Sequence, residues 1–343
     1  MNRLSMATRM VLCVLSVFWL YGCGGVRIGL VTDTGSLQDR GFNESAWKGV
    51  ESAGKTLSLK EGDGYRYVES KTAGDYAANI DKLVADGITI VVTVGFSLAE
   101  STLAAAKKYP NVRFIGVDQF RDPSDTSGPN YVGLIFDEAQ AGYLAGILAG
   151  SLSKTKKIGG VYGLAIPPVI RFKQGYEQGA KSVDAAMTVF SIFHPAGDNA
   201  FVDAPWGAQQ AQKFLTDGAD VVFGAGGQTG NGALELFAGE RTDKQKEVFC
   251  IGVDVDQYET VKSARSCLVS SAVKKISEGV AELINKANTG SFPKGGNFTG
   301  KIGLAPFHDL DAKVEQAVKD KLADAQKKLE SGDIKVTVDI NTP

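Results

Sequence analysis

Short apolar runs alternate along this chain with longer segments that mix apolar and polar residues. The short runs have the length of buried strands, and they lie at residues 26–31, 88–94, 112–117, 131–136, 158–162, 189–193, 221–223 and 248–253. The longer segments carry apolar residues at three-and-four spacing, which is typical of amphipathic helices; examples are residues 75–86, 98–108, 139–153 and 208–217. This alternation predicts an α/β protein built from doubly wound, mostly parallel sheets.

The number of predicted strands indicates two lobes rather than one. The strands are too many for a single compact open sheet in a chain of 343 residues, and chains of this length usually divide into more than one core. Several strands end in glycine or aspartate, namely at Gly95, Asp118, Gly224 and Asp254. Because ligands of open α/β sheets collect beyond the carboxyl ends of strands, we expect a ligand cleft between the lobes.

The first 22 residues have the features of a signal peptide. Arg3 and Arg9 precede an apolar run over residues 10–20, which is shorter than the about 20 residues that a permanent transmembrane helix needs. The sequence then reads Tyr-Gly-Cys, so Cys23 resembles the lipidated cysteine of bacterial lipoproteins. We predict cleavage after residue 22 and a lipid on Cys23 that anchors the protein to the cell membrane, facing the periplasm or the exterior. Cleavage without lipid attachment is the alternative.

The composition argues against several classes of function. The 37 basic and 39 acidic residues give a net charge of −2, and without a basic run the sequence does not favour a nucleic-acid partner. The two histidines, His194 and His308, stand apart and belong to no zinc-binding or nucleophilic motif. We therefore predict a binding protein rather than an enzyme, with no metal and no cofactor.

Two cysteines of the mature chain, Cys250 and Cys267, have two possible states. They could pair in an oxidising compartment. Since Cys250 lies in an apolar, strand-like run, a buried free thiol is the state that the sequence favours.

Two loops carry candidate binding residues. The glycine-rich segment 224–232 follows a strand and opens a helix, but its spacing fits neither a dinucleotide fingerprint nor a phosphate-binding loop. It is either a tight turn or a backbone that approaches a neutral, polar ligand. Segment 33–43 holds Asp33, Asp39, Phe42 and Asn43 directly after the first strand. These side chains either contact a ligand or cap and staple the following helix, which we expect at 44–56.

With these segments assembled, the chain resembles the basic membrane protein family of lipoproteins, and within it the purine nucleoside receptors of spirochaetes. The resemblance runs nearly end to end. It rests on Asp-x-Gly at 33–35, Asp-Arg-Gly-Phe-Asn at 39–43, Gly-Val-Asp at 116–118, Gly-Tyr-Glu-x-Gly-Ala at 175–180, Ala-Gly-Gly-Gln-Thr-Gly-Asn-Gly at 225–232, Ile-Gly-Val-Asp-x-Asp-Gln at 251–257 and Ser-Ala-Val-Lys-Lys at 271–275.

The resemblance implies the substrate-binding component of an ABC importer, with a type I periplasmic-binding fold whose lobes close on a nucleoside of the adenosine, guanosine and inosine class. A permease and an ATPase would be its partners. The fold implies three crossings between the lobes, which we place near residues 137, 266 and 297. The predicted lobes are then 24–136 plus 266–296, and 137–265 plus 297–343.

The resemblance also assigns roles to individual residues. The purine would stack between Phe42 and Phe201, since a flat base between two rings buries most of its surface. The roles of the polar groups are implied in the same way: Asn43 and Asp118 would read the base edges, Asp254 would accept both ribose hydroxyls, Lys274 would donate to the sugar, Gly227 would let the backbone approach, and Asp33 would complete the floor of the site.

Two departures from the family pattern affect this transfer. Gln228 is an additional residue in the glycine loop and could shift its backbone contacts, and Trp206 lies near enough in sequence to Phe201 to replace or augment the stacking ring.

Two other functions stay open: a sugar receptor of the same fold, and a surface lipoprotein or adhesin with a vestigial pocket. A nucleoside hydrolase or phosphorylase would need an acid-base or phosphate-binding constellation that the sequence lacks.

Overall fold

A computed structural model describes residues 25–342, so the predicted signal peptide and Cys23 lie outside the described part of the chain. The strands are β1 Ile28–Val31, β2 Tyr65–Val68, β3 Ile90–Val94, β4 Arg113–Val117, β5 Tyr131–Ile135, β6 Lys157–Tyr162, β7 Thr188–Phe193, β8 Val221–Ala225, β9 Phe249–Asp254, β10 Leu268–Lys274, β11 Asn297–Thr299 and β12 Ile302–Leu304. The α-helices are α1 Phe42–Thr56, α2 Tyr76–Ala85, α3 Ala99–Lys108, α4 Glu138–Leu152, α5 Pro167–Val183, α6 Ala204–Thr216, α7 Gly227–Asp243, α8 Gln257–Thr260, α9 Ile276–Asn288 and α10 Gln316–Ser331.

The strands form two six-stranded sheets of matching order, one in each lobe. The first sheet runs β11-β5-β4-β3-β1-β2 and the second runs β12-β10-β9-β8-β6-β7. Apart from β12, which pairs antiparallel with β10, neighbouring strands are parallel. The predicted doubly wound α/β architecture is therefore confirmed, and all eight strands predicted from apolar runs are present.

Helices cover both faces of each sheet, which explains the continuous apolar runs of the central strands. In the first lobe α1 and α9 bury one face, and α2 and α3 bury the other. In the second lobe α4, α5 and α10 pack on one face, while α6 and α7 pack on the opposite face. This sandwich fixes the strands from both sides and aims their carboxyl ends at the cleft.

Two predicted lobe boundaries differ from the observed sheets. Strand β10 belongs to the second sheet and β11 to the first, so the chain returns to the first lobe after Lys274, not at 266. It leaves that lobe again after β11, at residues 300–301, and not at 297. The boundaries at 266 and 297 are therefore wrong. Ser270 and Ser271 interrupt the apolar run of β10, which is why the hydrophobic pattern alone did not reveal this strand.

A disulfide joins Cys250 and Cys267, whereas the sequence favoured a buried free thiol. Their Cα atoms lie 5.1 Å apart, within the usual range for a disulfide. The proximity follows from sheet pairing: Cys250 is in β9, the backbone N–H of Cys250 donates to the carbonyl of Cys267, and β10 begins one residue later. An apolar run does not reveal which cysteine will be its neighbour in an adjacent strand.

Glycines let α4 and α5 cross with their backbones in contact. A Cβ added at Gly146 would lie 2.1 Å from the carbonyl oxygen of Tyr176, and one at Gly179 would lie 2.0 Å from that of Tyr143. Gly179 belongs to the motif at 175–180, so this part of the family pattern serves helix packing. This contact between α4 and α5 fixes the start of α5, which reaches the cleft.

Among the helices of residues 25–342, none combines the length and apolar character needed to cross a bilayer.

Candidate functional site

A cavity lies between the two lobes, at the carboxyl ends of both sheets. Its volume is about 610 Å³ including the open space at its mouth, a size typical of small-molecule sites. All eight binding residues predicted from the sequence line this one cavity: Asp33, Phe42, Asn43, Asp118, Phe201, Gly227, Asp254 and Lys274. The lining also includes Asp39, Phe96 and the start of α5.

The two lobes contribute equivalent aspartates to the cavity. Asp118 directly follows β4, and Asp254 ends β9, the strand at the same position in the second sheet. Both residues have left-handed backbone conformations, with φ of 60° and 66°. This conformation costs about 1–3 kcal/mol for a residue other than glycine and collects at functional sites. The fold therefore holds both carboxyl groups toward the cleft against a local preference.

Lys274, the last residue of β10, is the centre of a buried charge cluster. Its Nζ lies 2.5 Å from Asp118, 3.5 Å from Asp254 and 3.7 Å from Glu138. Burial by itself would lower the pKa of Lys274, but the three carboxyl groups hold that pKa above its usual range. The ammonium group therefore remains charged and draws aspartates from both lobes together.

The carboxyl groups around Lys274 have raised pKa values. Burial raises the pKa of Asp254 to about 6, against the opposing effect of Lys274. Burial raises the pKa of Glu138 to about 8, although Lys274 and Arg171 both favour its charged form. At neutral pH the cluster thus holds fewer negative charges than its carboxyl count suggests, which reduces the repulsion between Asp118 and its neighbours.

Asp33, Asp39 and Asn43 form a hydrogen-bonded network at the start of α1. The Asn43 side-chain amide donates to Asp33 Oδ1 at 3.2 Å and to Asp39 Oδ2 at 3.3 Å. Asp39 also accepts the backbone N–H groups of Gly41 and Asn43, so it caps the helix as one reading of the sequence expected. Burial raises the pKa of Asp33, while hydrogen bonds from Gly35 and Asn43 oppose the rise. Asp39 therefore positions Asn43 in addition to lining the cavity.

The two predicted stacking rings come from different lobes. Phe42 begins α1 in the first lobe, and its ring centroid lies 4.8 Å from Lys274 Nζ. Phe201 belongs to the second lobe and packs against two glycines: a Cβ at Gly163 would lie 2.1 Å from its ring, and its carbonyl oxygen is within 2.8 Å of the Cβ position of Gly227. Glycine at 163 therefore leaves room for the Phe201 ring, and glycine at 227 leaves room for the Phe201 backbone.

Neither of the two departures from the family pattern lines the cavity. Trp206 is in the first turn of α6, where its ring packs edge-on against His194 with centroids 4.6 Å apart. Gln228 lies in the first turn of α7, and its backbone N–H donates to the carbonyl of Phe201 at 2.9 Å. The additional residue in the glycine loop thus holds the Phe201 segment from behind.

Several residues at the cavity were not predicted from the sequence. Phe172, Pro168 and Val169 come from α5, and Glu138 contacts Lys274 from the start of α4. The start of α5 follows strand β6, so the rule that ligands collect beyond strand ends could have located it. No sequence signal distinguishes Glu138, since a glutamate in the first turn of a helix is ordinary.

Contacts across the cleft close the lobes over the cavity. The carbonyl of Asp39 accepts from the side chain of Asn231 at 3.1 Å, and the carbonyl of Arg40 accepts from Thr260 at 2.7 Å. Arg40 also pairs with Glu235 at 3.1 Å. Loop 39–41 of the first lobe is thereby docked on α7 and α8 of the second.

In residues 25–342 no group of histidine, cysteine and acidic side chains has the arrangement of a metal site.

Comparison with known proteins places this geometry in a family. Residues 26–338 match the family described as ABC transporter substrate-binding protein PnrA-like. The chain is 35% identical over 280 residues to the ABC transporter nucleoside-binding protein BmpA of Lactococcus lactis, covering 79% of this chain and 77% of that protein. It is 31% identical over 322 residues to the CD4+ T-cell-stimulating antigen of Listeria monocytogenes, covering 90% and 87%.

Solved structures share the fold. A solute-binding protein of an ABC transporter from Aeropyrum pernix K1 has a TM-score of 0.79 at 20% identity, covering 92% of this chain and 94% of that one. Another, from Conexibacter woesei, has a TM-score of 0.68 at 21% identity, covering 92% and 99%. The type I periplasmic-binding fold is therefore confirmed.

Proposed function

Because the chain belongs to the PnrA-like family of ABC transporter substrate-binding proteins, we propose that its ligand is a purine nucleoside. As a family member it binds a small ligand and works with a permease and an ATPase. The nucleoside-binding relative from Lactococcus lactis supports this ligand class. The structural observation that carries the proposal is that two aromatic rings and a charge cluster, contributed by both lobes, line a single cavity.

The base would lie between Phe42 and Phe201. Each stacked face of a base is worth about 1–3 kcal/mol in single-stranded nucleic-acid complexes, and the same physics applies to a free nucleoside. Asn43 and Asp118 would read the base edge. Asn43 Oδ1 and Asp118 Oδ1 are buried and have no hydrogen-bond partner among the described residues, so both can accept N–H groups from a purine.

The ribose would lie beside Asp254 and Lys274. The two oxygens of the Asp254 carboxylate suit a pair of neighbouring hydroxyl groups, while Lys274 can donate to a sugar oxygen. A bound nucleoside replaces the water that these buried groups would otherwise need. The relatives are substrate-binding proteins, which supports release of the ligand unchanged.

We also propose that ligand binding closes the lobes about the three crossings near residues 137, 275 and 300. Loop 39–41 would leave α7 and α8 on opening, because its contacts to them join different lobes. Small-angle scattering with and without inosine tests this motion. A smaller radius of gyration with inosine is expected, and equal radii would contradict the proposal.

The ligand class is tested by native mass spectrometry of the chain from residue 24, purified without added ligand. Calorimetric titration with adenosine, guanosine, inosine, cytidine and ribose follows. We expect a co-purifying nucleoside, or submicromolar binding of purine nucleosides with no binding of ribose. Binding of ribose alone would favour a sugar receptor, and heat from none of the five would favour a surface lipoprotein with a vestigial pocket.

Lipid anchoring through Cys23 is a separate proposal, supported by the sequence around that residue. Metabolic labelling with a fatty acid should mark the full-length protein and place it in the membrane fraction. The Cys23→Ala variant should lose the label. A full-length protein that carries no label would contradict the anchor and favour cleavage alone.

A further inference from the structure

A second cavity adjoins the ligand cavity. The two share Phe96, Asp118 and Pro168 as lining residues, so they meet at these three side chains. The second cavity encloses about 600 Å³ including its open mouth. Phe120 and Ile340 line the second cavity and not the first. Neither the sequence motifs nor the proposed nucleoside contacts make use of this space.

The inner side of the second cavity is lined by buried carboxyl groups, each with one oxygen that accepts no hydrogen bond from the described residues. Asp118 is 8% exposed and Glu138 is 1% exposed, and both line the cavity. Among the described residues Asp118 Oδ1 and Glu138 Oε2 accept no hydrogen bond; the nearest cation to Glu138 Oε2 is Arg171, at 3.6 Å. Leaving a buried acceptor unsatisfied is unfavourable. Asp118 therefore offers an acceptor at the point where the two cavities meet.

The outer wall is apolar and lies partly open to solvent. Phe120, from the first lobe, is 55% exposed, and Ile340, from the C-terminal segment, is 45% exposed. Ile135 and Pro167 complete this surface. Large exposed hydrophobic side chains that meet at a cavity mouth are typical of binding sites rather than of ordinary surface.

The C-terminal segment is held over this mouth by α5. Gln178 bonds the backbone N–H and carbonyl of Thr337 at 3.1 and 2.7 Å. Gln174 bonds the N–H and carbonyl of Asp339, both at 2.8 Å. Because these glutamines lie four residues apart on one helix face, they bind alternate residues of the extended segment. Ile340 is thereby fixed at the edge of the second cavity.

We propose that the second cavity is a subsite for a substituent on the exocyclic amine of the purine, so that the protein accepts N6-alkyl and N6-arylmethyl adenosines. This inference rests on the proposed function, with the base edge at Asp118. A secondary amine keeps one N–H for Asp118 Oδ1, while its apolar substituent extends past Asp118, which lines both cavities, toward Phe120 and Ile340. A tertiary amine keeps no N–H, so it would leave the buried acceptor unsatisfied.

The experiment compares adenosine, N6-methyladenosine, N6-benzyladenosine and N6,N6-dimethyladenosine by calorimetric titration of the mature chain. N6-methyladenosine and N6-benzyladenosine should bind at least as tightly as adenosine. N6,N6-dimethyladenosine should bind about tenfold more weakly or worse, because its amine has lost the donor for Asp118. If adenosine binds and N6-benzyladenosine does not, the subsite is refuted and the proposed function stands. If none of the four binds, the subsite is refuted, and titration with inosine and guanosine decides whether the proposed function stands.

A variant that fills the second cavity provides an independent measurement. Ile340→Trp changes an exposed side chain that does not line the first cavity, so it should fold and bind adenosine within about twofold of the wild type. Its affinity for N6-benzyladenosine should fall about tenfold or more. The control is Tyr67→Trp, an exposed aromatic on β2 that lines neither cavity. Equal affinity of the Ile340 variant for N6-benzyladenosine would place the substituent elsewhere and overturn the inference.

Discussion

Replacing Lys274 by methionine tests whether the charge cluster is held together by one cation. The substitution keeps most of the side-chain volume and removes the ammonium group, which lies 2.5 Å from Asp118 and 3.5 Å from Asp254. Lys274, Asp118 and Glu138 have side chains that are 2%, 6% and 2% exposed. Breaking a buried ion pair by removing one partner costs about 3–5 kcal/mol. We expect a loss of that size in the free energy of unfolding near pH 8.

The loss should become smaller in acid. In the wild type, the pKa of Asp254 is raised to about 6 and that of Glu138 to about 8, so both carboxyl groups bind protons more tightly when folded than when unfolded. Their contribution to stability is therefore present at low pH and is lost as the pH rises through these values. Without Lys274 the same carboxyl groups gain still more from protonation. Near pH 5 the expected loss is about 1–2 kcal/mol.

The assay is urea denaturation of ligand-free protein, followed by circular dichroism near pH 5 and pH 8. Lys275→Met is the matched control, because Lys275 is the next residue and pairs with Glu278 at 3.4 Å on the exposed surface. Exposed pairs contribute about 0–1 kcal/mol, so the control should change little at either pH. A loss for Lys274→Met that is equal at both pH values, or no larger than that of the control, would show that Lys274 does not hold the charge cluster together.

Three further predictions concern ligand binding and the disulfide. Phe201→Ala should weaken inosine binding by about 1–3 kcal/mol in calorimetry, whereas Trp206→Ala should leave it unchanged because Trp206 packs outside the cavity; the reverse result would displace the proposed stack. Asp254→Ala should cost about 2–4 kcal/mol of inosine binding if its carboxylate accepts both ribose hydroxyls, and unchanged affinity would remove it from the site. Replacing Cys250 and Cys267 by alanine together should lower the free energy of unfolding by about 3 kcal/mol, as expected for a loop of 17 residues; an unchanged urea midpoint would show that the bond does not form.

Local patterns of apolar and polar residues were sufficient to predict the buried strands that recur in both lobes. A parallel strand covered on both faces is an uninterrupted apolar run, so strands such as β3, β8 and β9 were evident, and strand number indicated two lobes. The candidate site followed from strand ends and from the family resemblance, and the eight residues chosen that way line one cavity. The position of the cavity could be predicted because ligands of open α/β sheets bind beyond the carboxyl ends of strands, and the local sequence shows where the strands end.

Contacts between distant segments were beyond local patterns. Strand β10 carries serines in its centre, and its place in the second sheet depends on pairing with β9 rather than on its own hydrophobicity. The disulfide has the same origin. In the sequence Glu138 is an ordinary residue in the first turn of a helix. The chain crossing after β5 places it beside Lys274. Similarly, Ile340 lies at a cavity mouth because hydrogen bonds join its segment to α5, some 160 residues away in the chain.

The matched strands of the two lobes give a physical reason why the proposed closure and ligand binding would depend on each other. The sequence Ile-Gly-Val-Asp occurs at both 115–118 and 251–254, at equivalent strand ends, so each lobe presents one strained aspartate to the cleft. Lys274 is anchored in the second lobe beside Asp254, and it meets Asp118 only when the lobes are together. In the proposed motion, opening would let water hydrate these charges, and closing would remove that water at a cost of several kcal/mol per ion. A ligand that donates hydrogen bonds to both aspartates would offset this cost, so the proposed closed state would be favoured when such a ligand is present.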